Sequence, residues 1–331
     1  MNALIARRKF IAISAAAAGV SLTPFAAKRA TAAQLIEWRG TSLGALATIR
    51  IYHTDKMAAE RLIREAVGEA HRLQSVFTLY REDSTLCELN RRGVLAAPPS
   101  ELIDVLEACD AFWRLTGGVF DPTVQPLWRC YADHFSAHAT GSQATLVAKT
   151  QEALDLVGWG KVHFNRDRVV LARPGMGLTL NGIAQGYITD RVIARLRASG
   201  ISSCLVDMGE IGTLGMRPDG HAWQVAAEDW QGSPSASFSI VDKAVATSGA
   251  YGFQFDARGQ FNHLFNPTTG KCAAPSRTIS VIADTATKAD ALSTAFALMD
   301  DEAISSVARM AHAQAFVSEG GAMREILPRN T

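Results

Sequence analysis

Thr179-Leu180-Asn181-Gly182-Ile183-Ala184-Gln185-Gly186-Tyr187 is the stretch on which the reading of this chain turns. It leads from an apolar, strand-like 177–180 through small residues into a helical pattern over 187–198. At such a strand-to-helix junction, backbone N–H groups are open to close approach by a phosphate. Close packing of another element against the glycines is the alternative use of the same residues. Upstream, alternation over 45–53 predicts a half-buried strand, and 57–77 and 101–115 carry apolar residues at helical spacing, the second run ending at Gly117-Gly118. Residues 143–157 read as a helix, and 161–164 and 168–172 as short strands around the polar turn Asn165-Arg166-Asp167. Downstream lies a β-rich half, with strands expected at 203–206, 212–216, 223–227, 237–241 and 280–283, before helices at 289–299 and 302–311. With neither a long linker nor a solenoid repeat, the pattern predicts a mixed α/β or α+β protein of one continuous architecture.

Composition narrows the functional classes. The chain has 331 residues, 48% of them hydrophobic, enough for a sizeable core. A formal net charge of +1 supplies no long-range field for a polyanion, so nucleic acid is not an expected partner. The 5 cysteines are odd in number and widely spaced without a C-x-x-C pair, which argues for buried small hydrophobes over a disulfide framework or a thiolate metal site. At the N-terminus, Arg7-Arg8-Lys9-Phe10-Ile11 is a twin-arginine pattern, followed by an Ala-, Gly- and Ser-rich apolar stretch and by Ala30-Thr31-Ala32, a peptidase site. Residues 1–32 are therefore expected to be a twin-arginine signal peptide and 33–331 the functional domain, with a periplasmic destination; an N-terminal membrane anchor is the alternative.

Two further clusters could carry chemistry. Asp290 and Thr294, in Ala289-Asp290-Ala291-Leu292-Ser293-Thr294, lie one turn apart on a predicted helix face. Two hard oxygen donors so placed suit Mg²⁺, whereas the structural alternative is that Asp290 only caps the helix N-terminus. His263 stands at an expected strand end before the Pro/Gly turn Asn266-Pro267-Thr268-Thr269-Gly270, with Thr247-Ser248-Gly249 upstream. It is a candidate base for a hydroxyl, or else a hydrogen-bonded structural histidine.

Taken in order, these pieces resemble the ApbE-like family of FAD:protein FMN transferases. That family carries a Gly-x-Phe-Asp-Pro-Thr-Val loop, an Asp-Leu-Gly-Gly-Ile-Ala-Lys-Gly-Tyr junction, Thr-Ser-Gly, His-Ile-Ile-Asp-Pro-x-Thr-Gly and Ala-Asp-Ala-x-x-Thr. This chain matches at 118–124, 179–187, 247–249, 263–270 and 289–294. The resemblance implies an ApbE-like fold, β-rich lobes with flanking helices, and transfer of FMN from FAD to a Thr or Ser hydroxyl of an exported or membrane-bound flavoprotein, releasing AMP. It further implies flavin contacts from Leu43, Tyr80, Val119, Phe120, Asp121 and Leu264. Mg²⁺ would be held by the Gly182 carbonyl with Asp290 and Thr294, and His263 would be the base, so that His263 and Asp290 are the catalytic candidates. Thr179 and Gln185 stand at cofactor-binding positions, and they, with Ser293, replace charged residues found in many members. The Asn-Gly-Ile-Ala-Gln-Gly-Tyr form is similar to the NosX-like branch that accompanies nitrous oxide respiration, which implies a NosR-like acceptor. An FAD pyrophosphatase and a non-catalytic FAD-binding assembly protein are the rival expectations.

Overall fold

A computed structural model describes residues 33–136, 143–228 and 234–327; the expected signal peptide, 1–32, lies outside them. The described chain opens with a hairpin of β1 (Gln34–Ser42) and β2 (Ala45–His53), joined in register from Ser42 opposite Ala45. Its two-residue turn, Leu43-Gly44, has φ of 46° and 79°. Positive φ at both positions matches the right-handed twist of paired strands. Asp55 then accepts the Ala58 N–H and starts α1 (Lys56–Phe77), whose buried stripe is Ala59, Ile63, Ala66, Ala70, Leu73 and Phe77. Helix α2 (Thr85–Arg92), strand β3 (Val94–Ala96) and helix α3 (Ser100–Leu115) follow. Beyond them lie α4 (Gln125–Ser136), α5 (Gln143–Leu154) and the hairpin of β4 (Val162–Phe164) and β5 (Arg168–Leu171). Asn165 Oδ1 closes that hairpin by accepting the N–H groups of Asp167 and Arg168.

The second half contains α6 (Ala184–Ala198), β6 (Cys204–Asp207), β7 (Ile211–Leu214), β8 (Trp223–Glu228), β9 (Pro234–Ile240) and β10 (Ala244–Gly249). It ends with β11 (Thr278–Ala283), α7 (Ala286–Phe296), α8 (Asp301–Ala311), β12 (Gln314–Ser318) and β13 (Arg324–Glu325). Among the described residues the main sheet has eight strands in the order β1-β2-β6-β7-β10-β11-β12-β13, every neighbouring pair antiparallel. The antiparallel sheet resolves the expected fold class to α+β.

Both faces of the central strands are covered, and alternation decides which residue serves which face. Cys204, Val206, Ala246 and Val281 join the large core with α1, α3, α6 and α7. Leu205, Ile211, Val245 and Ile282 point the other way, under the β8–β9 ribbon with Trp223, Val225 and Phe238. This double burial explains why these strands read as short apolar runs.

The structure corrects two local expectations. Residues 177–180 are extended but pair with no strand: Leu178 exchanges two hydrogen bonds with the Asn90 side-chain amide, at 2.7 and 2.8 Å, and Thr179 N–H donates to the Pro122 carbonyl. A side-chain amide imitates a strand edge there, which periodicity does not register. His263 likewise ends no strand; its loop is pinned by isolated bridges, Gln254 with Asn262 and Phe265 with Cys272. Strands β1, β3 and β10 and helices α2 and α4 form where the sequence pattern predicts no element.

Candidate active site

The junction glycines bring two helices together. A Cβ on Gly186 would lie 2.3 Å from the Ala286 carbonyl oxygen, and one on Gly182 would lie 2.8 Å from Thr294 Oγ1. Only glycine lets α6 and α7 approach so closely. The junction amides are already engaged: Ala184 N–H donates to Leu180 O at 2.8 Å, and Gly186 N–H donates to Asp290 Oδ2 at 3.0 Å. The small residues therefore serve close packing at these positions, and the packing carries Asp290 and Thr294 to Gly182.

Asp290 does not cap its own helix. Thr285 is the N-cap of α7, accepting from Lys288 N–H, while Asp290 lies one turn further in and caps α6 instead. The capping alternative thus holds for a different helix, reached across the fold. Asp290 is 2% exposed and Thr294 half-buried. Ser293 turns from the cleft, donating to the Asp290 carbonyl at 3.0 Å and pairing with Ser248 Oγ at 2.8 Å.

All the sequence-derived candidates line one cleft of about 1310 Å³. The hairpin turn contributes Leu43, and Tyr80, 70% exposed, also lines the cleft. Val119, Phe120 and Asp121 enter from the loop after α3; Thr179, Gly182 and Gln185 come from the junction. His263 and Leu264 line it from the loop before β11, and α7 supplies Asp290 and Thr294. Asp121 faces protein: Oδ1 accepts from Thr123 N–H and Oγ1–H, and Oδ2 from Trp159 N–H. Burial pushes its carboxyl above the usual range, with those hydrogen bonds pulling back. Gln185 is buried, its amide lying over Gly209, where φ is +107° and a Cβ would come within 2.1 Å of Nε2.

His263 is oriented by a carbonyl. Its Nδ1 lies 3.2 Å from Phe253 O, which can only accept, so Nδ1 carries the hydrogen and the lone pair of the neutral ring sits on Nε2. Gly252 gives the ring room, since a Cβ there would stand 3.0 Å from Cε1.

Among the described residues, no group of three or more His, Cys, Asp or Glu is placed to hold a metal. The candidate donors are one buried carboxylate, one hydroxyl and one carbonyl, all hard oxygens. That set fits Mg²⁺, which keeps several waters and combines one or two carboxylates with substrate phosphates.

The sequence reading missed Asp207 and Glu210, which line the same cleft on either side of the β6–β7 turn. Asp207 Oδ1 accepts Gly209 N–H at 2.9 Å, and burial raises its carboxyl to about 6, with Gly209 and Arg50 pulling down. The available signal was Asp207-Met208-Gly209-Glu210, two acids about a glycine at the end of an apolar run.

A model of the ApbE family matches residues 43–317. The FAD:protein FMN transferase of Treponema pallidum is 30% identical over 283 residues, covering 76% of this chain and 75% of its own length. The apo flavinyl transferase ApbE of Pseudomonas stutzeri superposes with a TM-score of 0.73 at 25% identity, covering 90% of this chain and 96% of that one. The ApbE protein of Thermotoga maritima gives 0.76 at 26% identity, covering 90% and 100%. The α+β architecture expected from the resemblance is that of these structures.

Proposed function

Because this chain belongs to the ApbE family, we propose that it is a transferase that moves the FMN half of FAD onto a Thr or Ser hydroxyl of another protein and releases AMP. The observation that carries the reading is the convergence of His263, Gly182, Asp290 and Thr294, from three distant stretches of sequence, on one cleft. The acceptor hydroxyl oxygen forms a bond to the FMN phosphorus while the bond from that phosphorus to the bridging oxygen breaks. The bridging oxygen departs with AMP, and the hydroxyl proton passes to His263 Nε2. The Phe253 carbonyl favours this role by fixing the hydrogen on Nδ1. Asp290, Thr294 and the Gly182 carbonyl are the groups that would hold Mg²⁺, which when bound neutralises developing charge on the diphosphate. Leu43, Tyr80, Val119, Phe120 and Leu264 give the flavin an apolar wall, and Gln185 and Thr179 offer uncharged polar groups to the nucleotide.

The twin-arginine pattern supports a site of action outside the bacterial inner membrane, on an exported or membrane-bound redox protein. The Asn-Gly-Ile-Ala-Gln-Gly-Tyr junction supports a NosR-like acceptor and a link to nitrous oxide respiration. The test is incubation of the purified protein with FAD, Mg²⁺ and such an acceptor, read by in-gel flavin fluorescence and acceptor mass. The expected result is an acceptor heavier by one FMN unit, lost with EDTA and restored by Mg²⁺. Free FMN plus AMP without labelling would make the protein a hydrolase, and unchanged FAD would make it a binding protein.

A further inference from the structure

Helices α6 and α7 cap each other. Asp290 of α7 accepts Gly186 N–H in the first turn of α6. In return Asp190 of α6 accepts from Ala286 N–H (Oδ1, 2.8 Å), Thr287 N–H (Oδ2, 2.8 Å) and Thr287 Oγ1–H (Oδ2, 2.5 Å) at the start of α7. Asp290 sits about one turn into α7 and Asp190 nearly two turns into α6, and each reaches the first turn of the other helix, so the contacts form a reciprocal latch. Between them Gly186 packs directly on the Ala286 carbonyl. Asp190 does not line the cleft, and the proposed chemistry does not use it.

We infer that Asp190 is a positioning residue for the divalent cation: by holding the start of α7 against α6, it sets the spacing of Asp290 and Thr294 relative to the Gly182 carbonyl. This rests on the cation reading above. The two proposed side-chain donors follow the latched first turn of α7 on one rigid helix, and the carbonyl donor precedes α6. Relative movement of the two helices therefore changes the donor spacing directly. Mg²⁺ demands near-ideal octahedral geometry at about 2.0–2.1 Å, whereas Ca²⁺ tolerates looser sites at about 2.3–2.6 Å. Loosening the latch should therefore weaken Mg²⁺ more than Ca²⁺. Asp190→Asn is a suitable lesion, because it keeps the size but turns an NH₂ donor toward backbone N–H donors.

The experiment measures Mn²⁺ binding to the FAD-loaded protein by electron paramagnetic resonance of free Mn²⁺, followed by competition with Mg²⁺ and with Ca²⁺. Asp190→Asn should bind Mn²⁺ and Mg²⁺ more weakly, by up to the about 10- to 100-fold that follows loss of a group hydrogen-bonded directly to a metal ligand. Ca²⁺ should lose less, and FAD affinity in EDTA should stay unchanged. Thr287→Val, which removes only the hydroxyl contact, should shift Mg²⁺ in the same direction by a smaller factor, and it provides the test if Asp190→Asn does not fold. Asp300→Ala, at the N-cap of α8, is the control for a purely structural cap: a lower melting temperature with wild-type cation binding. The inference is overturned if the latch variants, like that control, melt lower yet keep the wild-type Mg²⁺ affinity and Mg²⁺-to-Ca²⁺ ratio. A wild-type protein that binds no Mn²⁺ overturns it together with the metal assignment. Cation binding that follows the latch in a protein that labels no acceptor would instead leave this inference standing and remove the transferase reading.

Discussion

At the scale of single residues, the chain supplies chemical types and the fold assigns their states. The motif marks His263 as a candidate base, but its tautomer is set by the Phe253 carbonyl ten residues earlier, which no motif encodes. Replacing it with glutamine should lower transfer by about 10²–10⁴-fold, the usual contribution of a general base, while FAD affinity measured by fluorescence quenching stays within a few-fold. An equal loss in both would make His263 a binding residue. Asp207 went unread because its character comes from burial. Its carboxyl is raised to about 6, against about 3.9 in an unfolded chain. Between about pH 4 and 6 the folded protein keeps a proton that the unfolded chain has released, so stability falls as pH rises through that window, by about 1–3 kcal/mol, and stays lower above it. The stability difference between Asp207→Asn and the unliganded wild type should accordingly be small near pH 4 and grow in favour of the variant to a plateau above pH 6. Thermal melts that show a pH-independent difference would contradict the assignment.

At the scale of elements, periodicity located most helices and strands, and it failed where a segment's partners are side chains. Residues 177–180 have the composition of a strand, yet Asn90, 88 positions earlier in the chain, takes the place of the neighbouring strand. The glycines of the junction were read as room for a phosphate or for packing, and the choice fell to packing because α7 lies across them. Gly186→Ala tests this: its Cβ would meet the backbone of Ala286 and Thr287 at 2.3–2.8 Å, and backbone in two latched helices cannot swing aside. Overpacking of this kind destabilises by about 1–3 kcal/mol. The urea midpoint should fall accordingly at constant slope, with Mg²⁺ binding weakened beside it. A variant with unchanged midpoint would mean that the helices part easily.

At the scale of the whole molecule, the cleft exists because antiparallel strands of the main sheet, the loop after α3 and the α6–α7 latch close on one another. Asp290 caps α6 and is also the proposed cation ligand, so on that proposal one carboxylate couples folding to cation binding. Saturating Mg²⁺ should stabilise the FAD-loaded wild type by about 2.7 kcal/mol at a concentration 100 times its dissociation constant. The same Mg²⁺ should leave the melting temperature of Asp290→Ala unchanged. Equal stabilisation of both proteins would place the cation elsewhere. The order of five short motifs, the amphipathic stripes and the turn residues were enough to indicate the family, the α+β class and the residues to examine, since all of these are properties of neighbours within one or two turns of chain. Which helix Asp290 caps, which nitrogen of His263 carries the hydrogen and which carboxyl is raised by burial depend on groups brought together from far along the sequence. Those were decided only when the chain closed, because hydrogen-bond partners and loss of water are set by what surrounds a group in space.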